Sequence, residues 1–392
     1  MKRTSYFSIG AIIIFLIFFV IKDKLSLDTS ESAIEKVKES SLYDLNNKEV
    51  LNLKANIVEK EINGKYYRMY GYDGQIPGPT LHVNQGDSVT VNFTNNIDVN
   101  TTIHWHGVRL DNKYDGVPGL LQIPVKPGSN FIYELRFPDP GIFWYHPHTR
   151  EDKEQELGLY GNIVVEPKFN KYFNEVNREL NLILDDILIK NDEIKFSDDY
   201  VNYALMGRFG NIIMINGEVD YNLKINKNEA LRLFLTDAAN TRVFNFSIEN
   251  TKLKVVGSDL SKYEKEFFAD SIIISPGERY IVEVKFDKPG RYKIFNINTH
   301  KTYVLGNVDV VDNNIEDNEE YGLLKENKDI IDDINGYRKH FDNDYDYKID
   351  LIIEMPEMDM GDMHHHPSNI EWEDEMEEMN KVHTNKIVKW II

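Results

Sequence analysis

The chain has 392 residues, a formal net charge of −20 and no cysteine. The length allows two or three domains. The acidic balance argues against nucleic acid as a partner, because nucleic-acid binding needs basic surfaces. The lack of cysteine excludes disulfides, thiolate metal ligands and a cysteine nucleophile within these residues.

The N-terminus predicts a membrane segment. Lys2 and Arg3 precede an uncharged, mostly apolar run from Thr4 to Ile21. This run is just long enough to span a bilayer, and the basic residues before it predict an N-terminus inside the cell and the remainder outside. No small-residue cleavage motif follows it. We therefore interpret residues 1–24 as an uncleaved signal-anchor, with a cleaved signal peptide as the alternative, and the polar residues 25–47 as a tether.

From about Lys48 onward the chain alternates between apolar and polar residues, which is typical of β-strands. Apolar residues recur at every second position from Leu81 to Val83 and from Val89 to Phe93, and the turn sequence Gln85-Gly86-Asp87 lies between them. The pattern predicts two strands joined by that turn.

A later part of the chain repeats this pattern. The run from Leu81 to Thr94 matches the run that starts 142 residues later at Leu223. The run from Pro127 to Gly141 matches the run that starts 149 residues later at Pro276. Many short strands with Gly and Pro turns indicate a β-sandwich or barrel. We therefore predict an all-β protein with two copies of one β domain, at residues 48–166 and 167–311.

Two His-x-His motifs lie in the first copy, at His104-Trp105-His106 and at His146-Pro147-His148. Side chains two residues apart on a strand share a face, so each motif offers two imidazoles to one side of a sheet. Imidazole suits copper, zinc, iron and nickel. In the second copy Phe295 and Ile297 replace His146 and His148. The fold therefore does not require these histidines, and the two motifs predict a metal site.

The C-terminal part has a different composition. We interpret residues 312–345 as an acidic linker with one short helix. The segment from Met355 to His366 is rich in methionine and histidine, and thioether and imidazole suit Cu(I). The alternative is a solvated loop without metal. His300 stands alone in the second copy, which is typical of a structural or exposed histidine.

Several of these stretches together resemble the multicopper oxidases, a family of laccase-like enzymes and metallo-oxidases. The motifs that carry the resemblance are Ile76-Pro77-Gly78-Pro79-Thr80, His104-Trp105-His106-Gly107, Tyr114-Asp115-Gly116-Val117-Pro118, Trp144-Tyr145-His146-Pro147-His148 and Gly158-Leu159-Tyr160-Gly161. The resemblance implies tandem cupredoxin-like (plastocyanin-like) Greek-key β-sandwich domains, after an N-terminal membrane helix. Residues 48–166 would be the first, residues 167–311 the copper-free second, and residues 346–392 the start of a truncated third.

The same resemblance implies copper ligands. Family members hold three coppers between the first and third domains. At the matching positions His104 would bind the type 2 copper, and His106, His146 and His148 would bind the type 3 pair.

Asp115 occupies the position of a family acid that passes protons toward oxygen. A carboxylate near a metal site can deliver the protons that O2 reduction consumes. Alternatively, Asp115 only opens an Asp-Gly turn. We expect Trp105 and Trp144 to be packing residues that shield the site.

The chain also departs from the family pattern. The third domain of a family member supplies four more histidines and the cysteine of the type 1 copper site, and a type 1 site requires that thiolate. Without any cysteine, these 392 residues are expected to provide half of a trinuclear site and no type 1 site. We therefore expect the chain to be incomplete or inactive alone, with a separate polypeptide as one source of the missing ligands.

Three functions remain open. The first is an extracytoplasmic multicopper oxidase, anchored to the membrane or secreted, that couples one-electron oxidation of a phenol or a metal ion such as Cu(I) to reduction of O2 to water. The second is a membrane-tethered copper-binding module without turnover. The third is a copper-free structural relative, which the presence of all four histidines argues against.

Overall fold

The computed structural model describes residues 34–46, 48–120, 122–168, 172–196, 209–298, 301–313, 315–344, 347–350, 352–354 and 389–391. Within these ranges the chain forms no helix of the length and apolar character needed to cross a membrane. The predicted signal-anchor at residues 1–24, His300 and the Met/His segment at residues 355–366 lie outside the described residues.

Short strands make up most of the first half of the described chain. Their bounds are β1 (Glu35–Lys36), β2 (Leu42–Asp44), β3 (Val50–Ile62), β4 (Lys65–Tyr72), β5 (Thr80–Asn84), β6 (Ser88–Asn95), β7 (His104–His106), β8 (Asn130–Arg136), β9 (Gly141–His146) and β10 (Gly161–Glu166). A 3-10 helix at Asn112–Tyr114 and the one-turn helix α1 (Glu151–Glu154) lie between strands.

The second half continues with strands. Their bounds are β11 (Arg178–Ile187), β12 (Ile189–Lys190), β13 (Glu193–Ile194), β14 (Ile212–Ile215), β15 (Tyr221–Asn226), β16 (Ala230–Asp237), β17 (Phe244–Ile248), β18 (Leu253–Ser258), β19 (Ser261–Ala269), β20 (Ile272–Ile274), β21 (Arg279–Lys285), β22 (Gly290–Ile297), β23 (Thr302–Val311), β24 (Ile352–Glu354) and β25 (Lys389–Ile391). A 3-10 helix at Glu319–Gly322 and the helix α2 (Lys328–Arg338) follow β23.

Each repeat forms a pair of sheets. The first repeat contains strands β2–β10. One of its sheets pairs β4 with β3, β3 with β6 and β6 with β8, and the other has the order β2-β5-β10-β9-β7. The second repeat contains strands β11–β23. Its two large sheets have the orders β14-β11-β16-β21-β18-β19 and β15-β23-β22-β17-β20, and β12 pairs with β13. The predicted all-β class with tandem sandwiches is therefore confirmed.

The two repeats share their strand register as well as their strand order. Val89 lies opposite Leu135 in the first repeat, and their sequence counterparts Leu231 and Val284 lie opposite each other in the second. The constant sequence offsets therefore correspond to equivalent pairs in space, as expected of a duplicated fold.

Apolar alternation explains how each repeat forms its core. On β5 and β6, the predicted inward residues are all buried, from Leu81 at 0 % exposure to Val89 at 2 %. Burial of this kind stabilises a sheet by about 25 cal/mol per Å² of apolar surface. A further apolar cluster joins the repeats, because Ile142 and Val164 of the first pack with Phe234, Val256 and Ile281 of the second.

Part of the predicted tether at residues 25–47 is instead packed on the first repeat. Strand β2 pairs in parallel with β5, and Leu45 just after it is only 2 % exposed. The polar composition of this segment predicts a tether, but a three-residue edge strand needs few apolar residues.

The region after β23 contains the short helix expected in the acidic linker. Helix α2 is tied to the second repeat by an ion pair of 2.9 Å between Asp329 and Lys262. Strands β24 and β25 pair antiparallel in the region assigned to a third domain. The domain boundaries themselves stay predictions.

Candidate metal centre

The paired strands β7 and β9 bring the two His-x-His motifs together. They run antiparallel, with His104 opposite His146 and Trp105 opposite Tyr145. His148 lies two residues after the end of β9. In the second repeat Ser247 lies opposite Phe295 at the corresponding place. The same scaffold therefore occurs without imidazoles.

The aromatic residues of the motifs fix which way the histidines face. Trp105 is fully buried and packs its ring against Tyr133 and Tyr145 in the core. Because neighbours on a strand point to opposite faces, His104 and His106 face away from that core. Trp144 stacks on the ring of His146, with 3.9 Å between the ring centroids. Both tryptophans are thus packing residues, as the sequence predicted.

The four imidazoles converge on one region. The centroid of the His104 ring lies 5.4 Å from that of His106, 5.4 Å from that of His146 and 5.1 Å from that of His148. One ring nitrogen from each of His104, His106 and His146 lies within 4.8 Å of the other two. Within the described parts of the chain, this is the one group of three or more such donors close enough to share a metal ion.

Hydrogen bonds to backbone carbonyls orient two of the rings. Nδ1 of His104 donates to the carbonyl oxygen of Asp115 at 2.7 Å, and Nδ1 of His146 donates to that of Pro147 at 2.8 Å. Because a carbonyl only accepts, each bond leaves Nε2 as the unprotonated nitrogen. Ligand histidines in proteins commonly have such a bond on the ring nitrogen that does not face the metal. Nε2 of His146 and Nδ1 of His106 lie 3.3 Å apart and face each other.

Burial holds three of the imidazoles in the neutral form. It lowers the pKa of His146 well below the ordinary 6.5 and also lowers the pKa of His104. Burial, together with the charge of Arg279, lowers the pKa of His106 to about 3. Neutral imidazole is the form that binds metal, so these rings bind without first losing a proton.

His148 has a different environment. Its Nδ1 lies 2.7 Å from a carboxylate oxygen of Glu151 on helix α1, and this bond raises the pKa of His148. The side chain is 35 % exposed, compared with 17 % for the side chain of His104. The carboxylate fixes the ring from the solvent side.

Asp115 lies beside the cluster. A carboxylate oxygen of Asp115 is 3.2 Å from Nδ1 of His104, and the side chain is 39 % exposed. The residue follows the 3-10 helix that ends at Tyr114, and its backbone N–H caps that helix by donating to Asn112. The carboxylate therefore faces both solvent and a candidate ligand.

Two residues that contact the cluster could not be predicted from the sequence. Arg279 and Gly277, both in the second repeat, lie against the loop of His106 and Gly107. No local pattern marks them, because they are far from that loop in sequence. The spacing of three residues between His148 and Glu151 is a local signal that could have identified Glu151.

The donor set fits a transition metal of the copper type. Three neutral imidazoles with oriented nitrogens and a fourth beside them are ligands that copper prefers, and zinc, iron and nickel also accept them. The geometry alone therefore indicates a metal centre without selecting among these ions.

Comparison with known proteins selects among them. Two family models, each described as multicopper oxidase, match residues 56–170 and residues 175–310. A multicopper oxidase of Staphylococcus epidermidis is 30 % identical over 241 residues, which are 60 % of this chain and 52 % of that protein.

Solved structures agree with the sequence comparison. A multicopper oxidase from Pseudomonas thermotolerans has a TM-score of 0.62 at 28 % identity, covering 70 % of this chain and 65 % of that one. A multicopper oxidase from Campylobacter jejuni, described as a metallo-oxidase, has a TM-score of 0.61 at 25 % identity, covering 88 % and 70 %.

This chain spans about half the length of the curated relatives it matches. The two matched regions nevertheless extend over more than half of the chain and contain both His-x-His motifs and the second repeat. Copper is the metal of the family, and the imidazole cluster fits it. The chain belongs to the multicopper oxidase family.

Proposed function

We propose that this chain is the copper-binding part of a multicopper oxidase-type oxidoreductase, which couples one-electron oxidation of a small reductant to reduction of O2 to water. The proposal depends on one observation: one ring nitrogen from each of His104, His106 and His146 lies within 4.8 Å of the other two. When bound, copper supplies the one-electron redox chemistry that the side chains of these residues cannot supply themselves.

The histidines hold and orient the metal in this proposal. His104 and His146 present Nε2, since their Nδ1 atoms are bonded to backbone carbonyls. His106 presents Nδ1, the nitrogen nearest to His146. His148 completes the half-site, held by Glu151. By the family resemblance, His104 serves the type 2 copper and the other three serve the type 3 pair.

Asp115 is proposed to deliver protons to the reaction. Its partly exposed carboxylate can take a proton from solvent, and it lies against His104 at the edge of the site. Proton delivery by a positioned carboxylate contributes about 10²–10⁴-fold to a rate. The Asp115→Asn variant should keep its bound copper, because the backbone carbonyl of residue 115 still accepts from His104. It should lose O2 reduction when this is measured together with a polypeptide that supplies the missing ligands.

The four histidines make up half of the trinuclear ligand set that the family uses. The 392 residues contain no cysteine, so a type 1 copper would need a thiolate from elsewhere in a longer protein or from a separate polypeptide. The reductant is proposed to be a phenol or a metal ion such as Cu(I). The relative from Campylobacter jejuni described as a metallo-oxidase supports the second choice.

Copper binding without turnover is the alternative, and the absence of cysteine in these residues favours it for the isolated chain. We also propose an extracytoplasmic location, with residues 4–21 as a membrane anchor or signal peptide. The uncharged run at the N-terminus supports this location. Carbonate extraction of membranes would release a cleaved, secreted form and retain an anchored one.

The proposal is tested by equilibrium copper binding to the metal-free chain. The wild type should bind copper, and His106→Ala combined with His146→Ala should lower the stoichiometry of bound copper. His340→Ala is the matched control, because this histidine is exposed and lies far along the chain near helix α2. Unchanged stoichiometry in the double variant would reject the ligand assignment.

A second measurement separates oxidase from binding module. O2 consumption by the copper-loaded chain is followed with a phenol and with Cu(I), before and after addition of a polypeptide that carries the family's missing ligand motifs. Uptake that depends on the added polypeptide supports the oxidase. Copper binding with no uptake under either condition supports the binding module.

A further inference from the structure

Arg279 belongs to the copper-free repeat but reaches the copper-binding repeat. It is the first residue of β21 and is only 5 % exposed. Its Nε donates to the carbonyl oxygen of Ile142 on β9 at 3.1 Å. One terminal nitrogen, Nη1, donates to the carbonyl oxygen of Gly277 at 2.9 Å and lies 2.9 Å from a carboxylate oxygen of Asp259. The planar guanidinium thus connects three separate segments.

The other terminal nitrogen faces the loop that carries His106. A Cβ atom placed on Gly107 would lie 2.5 Å from Nη2 of Arg279, closer than real Cβ contacts allow. Gly107 also has a φ of +82°, a conformation that favours glycine. The guanidinium therefore occupies the space directly behind the residue that follows His106.

The turn held by Arg279 touches the histidine itself. A Cβ atom on Gly277 would lie 3.3 Å from Cε1 of His106 and 3.6 Å from Nε2. The backbone of this turn therefore lies against the Cε1–Nε2 edge of the His106 ring, and Nδ1, which is bonded to Cε1, faces His146. Asp259 adds a second connection, because its carbonyl oxygen accepts from the backbone N–H of Ile142 at 3.2 Å.

We propose that Arg279 is a positioning residue for the copper site, which fixes the His106 ring by holding the Gly277 turn against it and by filling the space behind Gly107. The inference deepens the proposed function and rests on it. It gives the copper-free repeat a role, because that repeat supplies the rigid wall behind one ligand of its neighbour.

Charge and position predict opposite effects at Arg279. A cation beside the site repels copper, so an electrostatic role predicts tighter copper binding when the charge is removed. A positioning role predicts weaker binding, by about tenfold, as is usual when an orienting partner of a metal ligand is lost. Lysine keeps the charge but not the fork of donors, so Arg279→Lys should also weaken binding.

The test compares Cu(II) affinity in the wild type, Arg279→Met, Arg279→Lys and the control Arg232→Met. Arg232 is equally buried at 5 %, and it pairs with Glu179 and Glu283 away from the histidines. We expect about tenfold weaker binding in both Arg279 variants and unchanged binding in Arg232→Met. Wild-type or tighter binding in Arg279→Met, or full rescue by lysine, would overturn the proposal. If Arg279→Met does not fold, Arg279→Lys decides.

A measurement on the metal-free protein keeps the two proposals distinguishable. Ring resonances of ¹⁵N-labelled histidine should shift for His106 in Arg279→Lys and Arg279→Met, and stay in place in Arg232→Met. If the wild type binds no copper but the His106 resonances shift, the copper function fails and the positioning contact stands. If copper binds through the histidines and His106 is unmoved, only the role of Arg279 is rejected.

Discussion

Glu154 makes the stability of this protein depend on pH in a predictable direction. The side chain lies on helix α1 and is 1 % exposed, and one carboxylate oxygen accepts from Thr101 Oγ1 at 2.6 Å. Burial raises the pKa of Glu154 from 4.5 to about 8, although the bond from Thr101 opposes this. The folded chain therefore keeps a proton that the unfolded chain releases above pH 4.5.

The sign and size of the effect follow from proton linkage. Because the folded pKa is the higher one, the free energy of unfolding falls as pH rises from about 4.5 to about 8. Each increase of one pH unit in this interval lowers the free energy of unfolding by about 1.4 kcal/mol. Between pH 5 and pH 7.5, Glu154 alone should therefore lower stability by about 3 kcal/mol. Glu154→Gln removes this dependence and keeps an oxygen that can accept from Thr101.

Urea unfolding of the wild type and Glu154→Gln at pH 5 and pH 7.5 measures the difference directly. The buried Asp185 and Asp237 also have raised pKa values and add slope to both curves, so only the difference between proteins reports on Glu154. Glu175→Gln is the matched control, since this glutamate is exposed. Parallel curves for the wild type and Glu154→Gln would refute the reasoning.

Two other substitutions test the packing around the site and the second core. Gly116→Ala should lower the free energy of unfolding by more than about 2 kcal/mol. At this position φ is +78°, and the new Cβ would lie 2.0 Å from the carbonyl oxygen of Ile103. Gly64→Ala has a similar φ of +79° with open space around it, so an equal loss in the two variants would contradict the clash. Lys254→Met should lower the free energy of unfolding, measured in urea, by about 3–5 kcal/mol. The fully buried lysine pairs with the buried carboxylates of Glu266 and Glu283. A loss below about 1 kcal/mol would contradict an uncompensated buried charge.

The sequence predicted the parts of the site that depend on local periodicity. Alternation along a strand placed His104 and His106 on one face, and the constant offset between repeats predicted that Phe295 replaces His146 on an equivalent scaffold. Both follow from the two-residue period of a strand, which is readable from one segment.

Contacts between distant segments could not be predicted in the same way. Arg279 reaches Gly107 only because the repeats pack against each other through Ile142 and its apolar neighbours. Glu154 is the last of four consecutive charged residues, Glu151-Asp152-Lys153-Glu154, and no local pattern indicates that its side chain is buried. Strand β2 joins the first repeat from a segment whose polar composition predicted a tether.

The most direct test of the account is the position of copper in crystals of the copper-loaded protein, found from anomalous scattering at the copper edge. We expect a copper peak among the rings of His104, His106 and His146, and no peak there in the His106→Ala, His146→Ala variant. A wild-type structure with copper peaks only at other residues, or with no copper peak, would contradict the claim that these imidazoles form a copper site.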